Sequence, residues 1–258
     1  MKKLLSLILC LGLMGLTACG QSGEPAPEAV PAPEIVDTET IQSDPFAAYF
    51  DLSGMSQETL DGAMQDINQG DAEVQILQTM ADGQNLYVAF DVNWPQEADP
   101  LAETIEASLT AGDATSGGEI INAQTADHTG SYIASFWGDF SSGQSMTLSL
   151  VILGQEHTFT WDAQNICQEV TANLEDSEGT VVGEATVTPF SLWFSIDGPY
   201  VSGIAHGDII ELLDETGTPL PETWSISGDP SAAFLEFFVP MELGTVKTLQ
   251  VGPYTAHF

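Results

Sequence analysis

Acidic side chains dominate the residues of this chain that could do chemistry. Asp and Glu number 38 against 3 Lys and Arg, with 4 His and 3 Cys. Two carboxylates can hydrolyse a glycosidic bond when they face each other at ~5 Å or at ~6.5–9.5 Å. Glu97 with Asp99, Glu175 with Asp176 and Glu178, and Asp214 with Glu215 are the closest groupings. All three lie in turn-like surroundings, where solvated acids are the ordinary finding. A surface hydrolase of glycosidase type is therefore kept only as the alternative reading. His128, His157, His206 and His257 are scattered, and only His206 has an acid two residues away, in His206-Gly207-Asp208. No activated nucleophile stands beside it, so His206 reads as a loop residue. A Gly-x-Ser-x-Gly elbow, a His-Glu-x-x-His helix and a phosphate-cradling Gly-rich loop are missing. No catalytic residue and no metal ligand is assigned.

Calcium takes oxygen ligands from carboxylates and carbonyls, and the loop Asn173-Leu174-Glu175-Asp176-Ser177-Glu178-Gly179 offers those residue types. It lacks the downstream bidentate acid of an EF-hand, and a hairpin turn accounts for it. With Cys10 and Cys19 near the start, Cys167 is the one thiol left for the rest of the chain. One sulfur makes neither an internal disulfide nor a thiolate metal site. In Ile166-Cys167-Gln168-Glu169-Val170 it reads as a small buried hydrophobe.

The formal net charge is −35, and beyond Lys2 and Lys3 the single basic side chain is Lys247. Phosphate backbones are bound by Lys and Arg, so nucleic acid is excluded as a partner, and adhesion to anionic lipid fails for the same reason. Mutual repulsion and solubility explain the acidity more simply than a cationic partner does.

The elements that must position these side chains begin after an export signal. Lys2 and Lys3 precede an apolar run, 4–16, that ends in Leu16-Thr17-Ala18-Cys19. The run is too short for the ~20 residues that span a bilayer. It resembles the lipobox signal of bacterial lipoproteins. That resemblance implies a signal peptide over 1–18 and a lipidated Cys19 as the mature N-terminus, with the protein on the outer face of the cytoplasmic membrane. Residues 19–44 then hold Pro25, Pro27, Pro31 and Pro33 among Ala, Glu, Ser and Thr. Such a stretch buries nothing and serves as an extended tether.

From residue 45 onward the apolar period is two. Leu86, Val88, Phe90, Val92 and Trp94 alternate with Tyr87, Ala89, Asp91 and Asn93, the pattern of a strand with one face in a core. Strands are expected at 73–80, 86–94, 104–110, 131–137, 145–153 and 157–161. A second series is expected at 166–174, 180–188, 190–196, 208–214, 233–239 and 246–251. One short helix is expected, capped by Ser56 and running through Leu60, Met64 and Ile67 to the Asn68-Gln69-Gly70 end. Pro189 marks a bend or edge, such that one strand serves two sheets. These spacings predict an all-β protein of two antiparallel sandwich domains, 45–162 and 163–258. Trp94, Trp137, Trp161, Trp193 and Trp224 are the candidates for a sugar-stacking platform or a peptide-binding patch, and of these Trp94 and Trp161 fall in line with core faces. Trp193 projects opposite Phe190, Leu192, Phe194 and Ile196, so it lies at a domain interface or is exposed for binding.

Val74-Gln75-Ile76-Leu77-Gln78, Asp82-Gly83 and Leu86-Tyr87-Val88-Ala89-Phe90 are similar to uncharacterised extracytoplasmic domains of Gram-positive surface proteins. Thr186-Val187-Thr188-Pro189-Phe190-Ser191-Leu192 resembles a strand-proline-strand segment of the immunoglobulin-like domain that often follows in them. The resemblance implies a cell-envelope module of unknown role; no cofactor is expected, with calcium kept as the one candidate ion. The expectation is a lipid-anchored protein that binds an envelope glycan or protein, or has a structural role, without catalysis.

Overall fold

Ser56 accepts a hydrogen bond from the Thr59 N–H and starts helix α1, Gln57–Ala63, in this computed structural model. The helix stops two turns in, short of the expected Gly70 end. Met64 is already extended and opens a strand, Met64–Gly70, which pairs with Val74–Ala81. Ladder pairing outweighs the weak intrinsic preference of so short a helix. Asn68, at φ 49, takes up the irregularity where the register shifts. The structure describes residues 45–126, 128–196, 210–229 and 232–258. Cys19, the apolar run and tether before residue 45, and His206 lie outside them.

Eight antiparallel strands form the first sheet: β1 (Met64–Gly70), β2 (Val74–Ala81), β3 (Asn85–Asn93), β4 (Ile105–Ala111), β5 (Ala114–Ala126), β6 (Thr129–Trp137), β7 (Ser145–Ile152) and β8 (Gln155–Asp162). Their order is β1-β2-β3-β6-β5-β4-β7-β8. Eight more form the second: β9 (Val170–Glu175), β10 (Val181–Val187), β11 (Ser191–Ile196), β12 (Ile210–Leu213), β13 (Trp224–Asp229), β14 (Ala232–Phe237), β15 (Thr248–Val251) and β16 (Tyr254–His257). That order is β12-β15-β16-β9-β10-β11-β14-β13. The chain passes between sheets across 163–169, and the described residues form one compact unit. The protein is all-β with one short helix.

The first sheet curls until its edges approach, which makes it barrel-like. Gln65 on β1 donates to the Asp162 carbonyl at 3.0 Å and accepts from the Gln164 N–H at 2.8 Å. Side chains thus close a seam that no backbone ladder bridges. The strand shared between two halves of this sheet is β5, which pairs with β4 through 114–118 and with β6 through 119–126. Gly118 sits at the changeover, where a Cβ would lie 2.5 Å from the Phe136 ring. Pro189 does not play that role. It lies in the turn between β10 and β11, where the Thr188 N–H donates to the Ser191 carbonyl at 2.8 Å.

Three cores hold the body together. The first lies inside the curled sheet, with Val88, Phe90, Leu109, Phe136, Leu148 and Trp161. The second backs the other sheet, with Leu174, Leu192, Phe194, Leu235, Phe237 and Leu249. A third joins them: Phe46, Phe50, Tyr87, Ile133, Cys167 and Phe190. It corrects the half-buried reading of β3, because Tyr87 and Ala89 on its other face are covered by these rings and β3 is buried on both sides. Burying each of Phe46, Phe50 and Phe190 is worth about 2–3 kcal/mol.

Candidate functional site

Most of the acids singled out by the sequence are committed to turns. Asp176 accepts from the Glu178 and Thr180 N–H groups at 2.8 and 2.9 Å. Asp214 accepts from the Thr216 hydroxyl at 2.7 Å and from the Thr216 and Thr218 N–H groups. These donors hold both carboxyls below their ordinary range, the Thr180 N–H foremost at Asp176 and the Thr216 hydroxyl foremost at Asp214. Asp99 caps its turn through the Leu101 N–H at 3.1 Å. The segment 173–179 is the end of β9 followed by the β9–β10 hairpin turn, with Gly179 at φ +80. Among the described residues no group of three or more His, Cys, Asp or Glu is placed to hold a metal. Cys167 is buried, and desolvation pushes its thiol well above the ordinary value.

Two polar junctions fasten the sheets to one another. Asp82, 1 % exposed, accepts from the Thr188 and Ser191 hydroxyls at 2.8 and 2.6 Å on one oxygen. Its other oxygen takes the Gln84 and Asn85 N–H groups at 2.8 and 2.6 Å. The β2–β3 turn is thereby tied to the β10–β11 turn. Glu236 on β14 accepts from Tyr87 at 2.6 Å and from Tyr49 at 3.3 Å. Burial, reinforced by Glu236, pushes both phenols upward.

Beside Glu236 the junction turns aromatic. Trp193 on β11 is the register partner of Phe234 on β14, so their side chains stand on one face of the sheet. The Phe234 ring lies 6.0 Å from the ring of Trp137, at the end of β6. Trp193 and Phe234 are half-buried, whereas Trp137 is 62 % exposed. The Trp193 Nε1 is enclosed without a hydrogen-bond partner among the described residues. The expectation for Trp193 thus meets a mixed environment, a junction whose rim is wet. Trp94 and Trp161 are buried in the first core. Trp137, one of the five candidate tryptophans, is the most exposed of them. It continues the β6 alternation one residue past Phe136, and its face is set by a covering layer from elsewhere in the chain.

Two clefts lie on the described surface. One, of about 380 Å³, lies where α1 meets 166–168 and the Glu242 loop, and is lined by Glu58, Thr59, Gly62, Cys167 and Glu242. Glu242 accepts from the Ser56 N–H and, at 2.7 Å, from the Thr59 hydroxyl, which hold its carboxyl below the usual range. The other, of about 360 Å³, is lined by Gln57, Asp61, Gln65, Asp66, Gln78 and Asn165. Its amide groups are largely spent within the protein, as in Gln57 to Asp61 at 2.7 Å and Gln78 to Asp66 at 2.9 Å.

No protein-family model matches the chain, and no curated protein does. Among solved structures, a conserved domain protein from Bacillus anthracis is similar over 76 % of this chain and 78 % of its own, with a TM-score of 0.48 and 11 % identity. A cycloalternan-forming enzyme from Listeria monocytogenes, in complex with a pentasaccharide substrate, is similar over 67 % of this chain but 16 % of its own, at 10 % identity and a TM-score of 0.24. An uncharacterized protein from Listeria monocytogenes, in complex with glucose, magnesium and calcium, is similar over 74 % of this chain and 19 % of its own, at 11 % identity and a TM-score of 0.24.

Proposed function

We propose that this chain is a lipoprotein held by Cys19 at the outer face of the cytoplasmic membrane. Its β-rich body, built as two immunoglobulin-like sandwiches, acts without catalysis by binding an envelope glycan or protein. The order Leu16-Thr17-Ala18-Cys19 and the proline-rich tether support the anchoring. The observation that carries the binding role is the row Trp193, Phe234 and Trp137, with Trp137 62 % exposed at its end. Aromatic side chains fixed at a junction offer stacking area at little cost in side-chain entropy, and such residues are enriched at recognition surfaces.

Co-sedimentation of the purified protein with insoluble envelope material tests this. The wild-type chain pellets with the material, and Trp137→Ala lowers the apparent affinity at least tenfold. Equal pelleting of the two proteins overturns the assignment of the row. For the anchor, mass spectrometry of the mature chain finds diacylglycerol on Cys19, and Cys19→Ala leaves the membrane fraction.

A further inference from the structure

His157, four residues before Trp161 on edge strand β8, is 4 % exposed and faces two carboxylates from the other edge of the sheet. Its Nδ1 lies 3.0 Å from Asp71 Oδ2. The Asp71 Oδ1 in turn accepts from the Glu73 and Val74 N–H groups at 2.8 and 2.9 Å, so that carboxylate is held in place by backbone. A carboxylate only accepts, and Nδ1 therefore carries a proton. Nε2 then points the other way, enclosed and without a hydrogen-bond partner among the described residues, with Glu73 Oε2 at 3.5 Å. That distance is too long for an N–H···O bond. It is close to the ~3.4 Å that separates two donor atoms held ~2.05 Å from one tetrahedral dication.

We propose that His157 Nε2 and Glu73 Oε2 bind a transition-metal dication of the zinc class, with Asp71 orienting the imidazole from the outer shell. A carboxylate on the far nitrogen of a ligating histidine fixes its tautomer and raises its basicity, and Asp71 stands in that position. Imidazole nitrogen selects against calcium and magnesium, which prefer oxygen throughout. No further His, Cys, Asp or Glu among the described residues joins the pair, so water completes the coordination. The site sits where β8 approaches the β1–β2 turn. A bound ion clips the side-chain seam of the curled sheet at the end opposite Gln65. This proposal is independent of the aromatic row.

The test is titration of zinc ion into the purified full-length chain at slightly alkaline pH, with excess magnesium to occupy carboxylate-only sites. One saturable site is expected. Glu73→Gln and His157→Gln each weaken it at least tenfold, Asp71→Asn weakens it less, and a variant with His128, His206 and His257 all changed to Gln retains it. If His157→Gln does not fold, Glu73→Gln decides the matter, because the Glu73 side chain is 58 % exposed. Absence of saturable binding in the wild-type chain overturns the proposal. So does an affinity unchanged by Glu73→Gln.

Discussion

Two of the contacts between the sheets are opposite in character. At Asp82 a buried carboxylate receives hydroxyl and backbone donors from both sheets, and every polar group in the node has a partner. At Trp137 the contact is a row of rings whose last member is open to water, with the Trp193 indole nitrogen enclosed and unpartnered among the described residues. A saturated buried network fixes geometry and offers a ligand nothing. The aromatic row holds surface that contributes little to folding, and Phe234 and the Glu236–tyrosine pair beside it keep that surface rigid.

Removal of the Asp82 carboxylate is the strongest way to break this contrast. Asp82→Ala removes the acceptor of the Thr188 and Ser191 hydroxyls, of the Gln84 and Asn85 N–H groups and of the Asn85 amide, and each donor left without an acceptor costs about 1–3 kcal/mol. Denaturant melts are expected to show a loss of about 3 kcal/mol or more. Tyr87→Phe keeps the ring in the third core but takes the 2.6 Å donor from Glu236, for a loss of about 1 kcal/mol in the same assay.

A site outside both contacts supplies the pH control. The hydrogen bond from His157, and after it those from backbone N–H groups, lower the Asp71 carboxyl from 3.8 to about 2. A depressed folded-state value adds stability above the unfolded value, and that stability is lost as pH falls from about 4 to about 2. Because Asp71 is half-exposed, solvent screening keeps the effect below about 1 kcal/mol. Asp71→Asn should remove that part of the acid slope in melts across this range. The smallest stability change belongs to Trp137→Ala, within about 0.5 kcal/mol by thermal melt. A loss as large as that for Asp82→Ala would place Trp137 among the structural residues.

Strands with strict alternation were readable from the chain, because Val88, Phe90, Leu148 and Phe194 each declare a core face by period two. Strands without it were not. Ala114–Ala126 is small and polar, and its place in the middle of the sheet depends on Phe136 filling the space over Gly118. Trp224–Asp229 and Tyr254–His257 carry too few apolar positions to set a period. The β1 segment carried a helical spacing at Leu60, Met64 and Ile67 that cross-strand pairing overrode. Trp193 breaks the apolar alternation of its strand, which is legible locally, and the structure sets it beside Phe234. Trp137 comes to that row, and Asp71 and Glu73 to His157, from distant parts of the chain. No local spacing encodes such a meeting.

The most direct test of the binding row uses the chain's own tryptophans as reporters. Indole N–H signals of the isotopically labelled protein are followed by NMR during titration with solubilised envelope polysaccharide. The signals of Trp137 and Trp193 should shift in a saturable way while those of buried Trp94 and Trp161 stay fixed. A Trp137 signal that does not move, or equal movement of all four, would contradict the assignment of the aromatic row as the binding face.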